Sequence, residues 1–345
     1  MEKKDRIFYL DFVRAFATFM ILLTHYNALF VFNYPMSIDK VVGTYNVFNI
    51  YIGNFGVSLF FIISGASLMY IYGDKINIKS FYIKRFKSLY PMFWIAYFIF
   101  FLVQFYIGRG VDSNIPKWHI VFSILGMDGY MQSLGIPIST FYILGEWFLG
   151  CIVFLYFIFP LLRIGIKKMP VVTCICSIAL YIVGTVLYEG NISESVFWTN
   201  RIPEMLFGMI FVTKNKKVKW PLALGALLIL IVNTISNNAI DAMIQTTYVG
   251  ILSFIVIVYL CQLLEKIPNK AFKEVVSFFS KYSYAIFLVH HIIIYDIVRR
   301  FDLSTITRTN SYILFMLCLV VICAAAVVLT KINNIVLKKI CAIMD

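Results

Sequence analysis

Continuous apolar stretches, each close to the thickness of a lipid bilayer, dominate this sequence of 345 residues. A membrane-spanning helix needs about 20 consecutive apolar residues. Hydrophobic residues make up 61% of the chain and charged residues 14%, whereas soluble domains are about 45–50% apolar and about a quarter charged. This argues against soluble enzymes, nucleic-acid binders and disordered chains, and the lack of alternation argues against a β-barrel. We predict an all-α, polytopic membrane bundle of ten spans, at 7–32, 47–72, 88–107, 140–162, 170–188, 200–213, 220–236, 246–264, 280–298 and 311–332.

The basic residues give these spans an orientation. The chain has 30 Lys and Arg against 17 Asp and Glu, a net charge of +13. With the N-terminus inside, 22 of the 30 basic residues fall in inner segments and seven in outer ones, as the positive-inside rule predicts. We therefore expect both termini in the cytoplasm, one transmembrane domain over 1–345 and no separate soluble domain.

The first predicted span contains three ionisable residues, Asp11, Arg14 and His25. Arg14 and His25 are eleven positions apart, which places them on one helix face about 16 Å apart along the axis. Ionisable residues inside a membrane usually mark function or an internal pair, and histidine is a natural general base. The alternatives are a snorkelling Arg14 that pairs with Asp11 and a His25 that only joins two helices by a hydrogen bond.

A basic stretch follows the second span and includes Lys84, Arg85 and Lys87. Arginine and lysine suit phosphate groups, which favours a site for a phosphorylated cytosolic ligand. Orientation of the chain and contact with anionic lipid headgroups would explain the same charges.

Two further groups fall near the outer ends of later spans. Glu146, beside Trp147, lies close in predicted depth to His25 and could be its partner, a contact to a sugar hydroxyl or an interface residue. Arg201 and Glu204 are three residues apart on one helix and are expected to pair.

Two adjacent histidines, His290 and His291, occupy the ninth predicted span. Neighbouring side chains on a helix project about 100° apart, so we expect at most one of them to face the site. We choose His290 and assign His291 a structural role. The spacing of cysteines and histidines along the chain predicts no metal site.

Taken in order, these groups resemble the acyltransferase 3 family of bacterial integral-membrane acyltransferases. The resemblance covers about 5–300 and rests on six groups: Asp11-Phe-Val-Arg14 with His25, Phe55-Gly56-Val57-Ser58 through Ser64-Gly65, Lys84-Arg85 through Pro91, Trp147-Phe-Leu with Tyr156 and Pro160, Arg201 with Gly208, and Tyr282-Ser283-Tyr284 through His290. Ser88 stands where the family often has arginine, and Ile152 and Val153 stand where one branch of the family has acidic residues.

The resemblance implies an enzyme of the bacterial cytoplasmic membrane that moves an acyl group, usually acetyl, from cytosolic acyl-CoA to a hydroxyl of a cell-surface or lipid-linked sugar. Acyl-CoA is then a co-substrate, membrane lipids surround the protein, and no tightly bound cofactor, metal or nucleic acid is expected. The implied catalytic residues are His25, Arg14 and Asp11, and the implied donor-binding residues are Lys84, Arg85 and Lys87. The residues assigned to the acceptor side or to structural support are Glu146, Trp147, Arg201, Glu204 and His290. A transporter or flippase that uses the same charges as a binding site is the alternative function, and a non-catalytic scaffold or sensor is a third.

Overall fold

The computed structural model describes residues 5–32, 38–107, 116–136, 138, 144, 146–214, 217–236, 240–265 and 269–344, with 104 and 340–344 described by backbone alone. The described residues form α-helices, four short 3₁₀ segments and one small hairpin, so the all-α prediction holds apart from the hairpin. The α-helices are α1 (Phe8–Val31), α2 (Ile52–Tyr72), α3 (Ile78–Tyr106), α4 (Ile120–Leu125), α5 (Asp128–Ser133), α6 (Glu146–Lys168), α7 (Pro170–Thr185), α8 (Ile202–Lys214), α9 (Trp220–Ile235), α10 (Ala242–Leu264), α11 (Lys270–Val298) and α12 (Arg308–Met344). The 3₁₀ segments are Ile38–Lys40, Lys117–His119, Glu194–Val196 and Trp198–Arg201, and the strands are β1 (Asn46–Val47) and β2 (Ile50–Tyr51).

Six of the helices in the described part are long and apolar enough to cross a membrane, namely α1, α2, α3, α6, α10 and α12. Two further apolar helices, α7 and α9, have 16 residues each, and α8 has 13. The length of α11 is 29 residues, but charged side chains interrupt its apolar sequence. The chain is a helical membrane protein, and its ten-span topology stays a prediction.

Several helices begin at residues other than those where the predicted spans begin. The hairpin pairs Asn46 with Tyr51, so α2 begins only at Ile52, five residues into the predicted second span. The third and ninth predicted spans were too short, because α3 and α11 each begin ten residues earlier, behind the N-cap residues Asn77 and Asn269. An asparagine side chain that accepts from a backbone N–H fixes a helix start in polar sequence, where hydropathy gives no signal. The predicted start of the fourth span, 140–143, lies outside the described residues, and α6 begins at Glu146.

The core of the bundle places α1 between α2 and α11, with α8 on the other face of α2. Gly65 on α2 lies against the backbone of Met205, and Gly208 on α8 lies against the backbone of Ile62. A Cβ at either glycine would collide with that backbone, so these small residues let α2 and α8 approach closely. α2 also packs against α1, the helix that carries Arg14 and His25.

Candidate active site

One cavity of about 670 Å³ is lined by α1, α2, α3, α6, α11 and the end of β2. Arg14, Arg85 and Lys281 contribute cationic groups at one end, and Phe32 and Tyr51 lie at the other. His25 lines the cavity between these ends. The cavity thus connects the cationic end with His25 on α1.

Hydrogen bonds fix the cationic end. The Nη2 atom of Arg14 donates to Ser67 Oγ at 3.0 Å, and Nη1 lies 4.0 Å from Asp11 Oδ1. Asp11 in turn accepts from Ser280 Oγ at 2.6 Å and from Arg6 Nε at 2.8 Å. Asp11 therefore links α1 to α11, while Arg14 links α1 to α2 and keeps 30% of its side chain exposed toward the cavity.

The basic stretch predicted to bind the donor lies on α3, and only one of its three residues reaches the cavity. The guanidinium carbon of Arg85 lies 6.0 Å from the ring centre of Tyr72 and 5.9 Å from that of Tyr156, within cation–π range. Lys84 is exposed, and Lys87 borders a separate apolar groove between α3 and α12. On a helix, neighbouring residues point in different directions, which separates Arg85 from the two lysines.

His25 lies within a group of ionisable side chains from three helices. Its Nε2 atom is 3.5 Å from Glu146 Oε2, so the predicted partnership with Glu146 is present as a contact. Ring centres lie 4.7 Å apart between His25 and His290, and 5.0 Å apart between His25 and His291. His291 also brings its Nδ1 atom to 3.2 Å from Glu146 Oε1. The expectation that only one of the adjacent histidines could face this site is wrong, because His25 approaches both rings and Glu146 contacts His291 as well.

Glu146 holds an unusual backbone conformation. Its φ is +45°, in the left-handed region that non-glycine residues rarely adopt, and such conformations cost about 1–3 kcal/mol. Gly129 on α5 lies so close that a Cβ there would be 2.7 Å from the carbonyl carbon of Glu146. The contact between α5 and α6 therefore lies at the backbone of Glu146, from which the carboxylate projects.

Trp147 lines the cavity, and a buried ion pair lies behind it. The Arg201 guanidinium carbon is 5.7 Å from the Trp147 ring centre and 5.3 Å from the Phe61 ring centre. Its Nη1 atom donates to Glu204 Oε1 at 3.2 Å, and its Nε atom donates to the Ser195 carbonyl at 2.9 Å. The predicted Arg201–Glu204 pair is thus present and fully buried, and neither residue lines the cavity. The buried Arg201 guanidinium therefore packs behind the Trp147 ring and can hold it in place.

Sequence reasoning missed three residues of the cationic end. Ser67 and Ser280 orient Arg14 and Asp11, and Lys281 adds a third cation to Arg14 and Arg85. The two serines carry no sequence signal, since isolated serines are common in membrane helices. Lys281 does carry a signal, because it lies at the inner end of the ninth predicted span, just before the Tyr282-Ser283-Tyr284 group.

A comparison with family models places the chain in a known class. A family model described as an acyltransferase domain, acyltransferase 3, matches residues 7–331, nearly the whole chain. The chain therefore belongs to the acyltransferase 3 family, as the motifs predicted. The matched region contains the cavity, the cationic end and the histidine group.

A comparison with curated proteins adds one relative. The chain is 27% identical over 140 residues to a protein named acyltransferase MdmB, from Streptomyces mycarofaciens. The matching region covers 39% of this chain and 34% of that relative, so the chain spans about a third of the relative's length. No solved structure gives a significant match.

Proposed function

We propose that this protein is a membrane acyltransferase that moves an acyl group, acetyl in the simplest case, from cytosolic acyl-CoA to a hydroxyl of a cell-surface or lipid-linked carbohydrate. The observation that carries the proposal is a single cavity that connects Arg14, Arg85 and Lys281 with His25 and Glu146. Membership of the acyltransferase family supports the reaction class.

The proposed topology has ten spans, both termini in the cytoplasm and the bacterial cytoplasmic membrane as its location. The asymmetry of the basic residues supports it. In this orientation Arg14 lies in the inner half of α1, and His25 lies about 16 Å further out. The cationic end therefore faces the compartment that contains acyl-CoA.

The donor is proposed to bind with its phosphates at the cationic end. Arginine and lysine pair well with phosphate oxygens. The thioester arm then runs along α1, through the cavity, toward His25. The acceptor hydroxyl is proposed to enter from the end lined by Phe32 and Tyr51, with Trp147 offering an aromatic face beside it.

Two chemical routes use the same residues. In the first, His25 takes the proton of the acceptor hydroxyl, the oxygen attacks the thioester carbonyl, the C–O bond forms as the C–S bond breaks, and the proton passes to the CoA thiolate. In the second, a nitrogen of His25 attacks the thioester carbonyl, the C–N bond forms as the C–S bond breaks, and CoA leaves as the thiolate. The acceptor hydroxyl then attacks the acyl-imidazole, the C–O bond forms as the C–N bond breaks, and the hydroxyl proton passes to the CoA thiolate. In both, the Glu146 carboxylate orients the imidazole and stabilises its positive charge.

The proposal is tested by following the acyl group. Membranes that contain wild-type protein or His25→Ala at equal levels are incubated with radiolabelled acetyl-CoA and isolated envelope carbohydrate. We expect alkali-labile label in the carbohydrate only with the wild type. Equal label with His25→Ala would overturn the role of His25. Solute flux in proteoliposomes without any acyl donor, together with no label, would favour the transporter.

A further inference from the structure

Three of the four histidines in the sequence converge on one carboxylate, although His25 lies far along the chain from the adjacent pair His290 and His291. His25 comes from α1, while His290 and His291 come from α11. The ligating atoms of His25, Glu146 and His290 all lie within 4.8 Å of one another. His291 contacts the same carboxylate, and 55% of the His291 side chain is exposed.

The hydrogen bonds of His290 fix which of its nitrogens is available. Nδ1 lies 2.8 Å from the carbonyl oxygen of Phe287, and a carbonyl can only accept, so Nδ1 carries the proton. Neutral His290 therefore presents a bare lone pair at Nε2. Within the described part of the chain this atom has no hydrogen-bond partner, and the residue is 1% exposed. Histidines that bind metals commonly donate their other ring N–H to a backbone carbonyl in this way.

We propose that His25, Glu146 and His290 form a binding site for a transition-metal ion of the Zn²⁺ type, with His291 available as a further ligand. Imidazole nitrogens and a carboxylate are ligands that Zn²⁺ prefers, and two histidines with one glutamate leave a coordination position open. The 3.5 Å between His25 Nε2 and Glu146 Oε2 is close to the ~3.4 Å that tetrahedral bonds of about 2.0–2.1 Å imply. The cavity and the exposed face of His291 give the ion a path to the site.

The site has a consequence for the reaction, which rests on the proposed function. A metal bound at His25 Nε2 leaves the single proton of the neutral imidazole on Nδ1. Neither ring nitrogen then has a free lone pair with which to take a proton or to attack the thioester. Zn²⁺ and productive catalysis therefore exclude each other, and the ion acts as a reversible inhibitor that a chelator removes.

Cobalt(II) tests the site without reference to activity, because tetrahedral Co²⁺ absorbs strongly in the visible range. Metal-free protein in nanodiscs, with no acyl donor, is titrated with Co²⁺ and then with Zn²⁺. We expect one equivalent of Co²⁺ to give the tetrahedral bands and Zn²⁺ to displace it. His290→Ala and Glu146→Gln should each weaken binding by about tenfold or more. His119→Ala, which changes the histidine outside the group, should bind like the wild type.

The experiment distinguishes failure of the metal site from failure of the proposed function. If folded wild-type protein, checked by size exclusion and thermal unfolding, shows no stoichiometric Co²⁺ bands, the metal site is refuted. Wild-type affinity in His290→Ala and Glu146→Gln together would refute it as well. Tetrahedral bands in a protein that transfers no acyl group would support the site and refute the proposed function instead.

Discussion

At the residue scale, Glu146 holds the site together, because its carboxylate contacts both His25 and His291. Glu146→Gln keeps the shape and removes the negative charge that stabilises a protonated imidazole. We expect kcat to fall about 10²-fold, the lower end of what an acid–base partner contributes, with a small change in KM for acetyl-CoA. Steady-state kinetics check this, with the exposed Glu274→Gln as the control. A near-normal kcat would remove Glu146 from the proposed mechanism.

The buried Arg201–Glu204 pair predicts a different response, in stability. Arg201→Met leaves the fully buried Glu204 without its cation, which typically costs about 3–5 kcal/mol. Arg201→Met combined with Glu204→Leu removes both charges and should be markedly more stable than Arg201→Met alone. Thermal unfolding in detergent measures the difference. If the double variant is no more stable than the single one, the pair is not the source of the loss.

At the element scale, the contact between α5 and the start of α6 positions the carboxylate. Gly129→Ala places a methyl group 2.7 Å from the Glu146 backbone, so α5 and α6 must move apart. We expect a stability loss of about 1–3 kcal/mol, as for overpacked cores, together with reduced transfer. Gly225→Ala on α9, where an added Cβ meets nothing within 4 Å, is the matched control and should be neutral or slightly stabilising. Equal behaviour of the two variants would contradict the proposed role of this contact.

The helices also show why some elements could be predicted from the sequence and others could not. Hydropathy located the apolar helices, since each span is a local property of the sequence. It missed the first turns of α3, because the capping asparagine Asn77 lies in polar sequence. Had the stretch been predicted as helical, periodicity would have separated Arg85 from Lys84 and Lys87.

At the scale of the whole molecule, the candidate site was predictable only where one helix supplies it. Arg14 and His25 share a face of α1, which the spacing of eleven residues gives directly. The approach of His290 and His291 to His25 depends on how α11 packs against α1, and an argument about one helix at a time excluded His291. The Glu146 conformation depends on α5, a six-residue helix with no clear sequence signal.

We propose that one cavity binds the donor at its cationic end and that the chemistry takes place at His25. Donor binding and slow CoA release, measured together with radiolabelled acetyl-CoA on purified wild type, Arg14→Ala and His25→Ala, test it most directly. We expect wild type to bind and release CoA, Arg14→Ala to lose binding, and His25→Ala to bind without release. Unchanged binding in Arg14→Ala together with unchanged release in His25→Ala would contradict it.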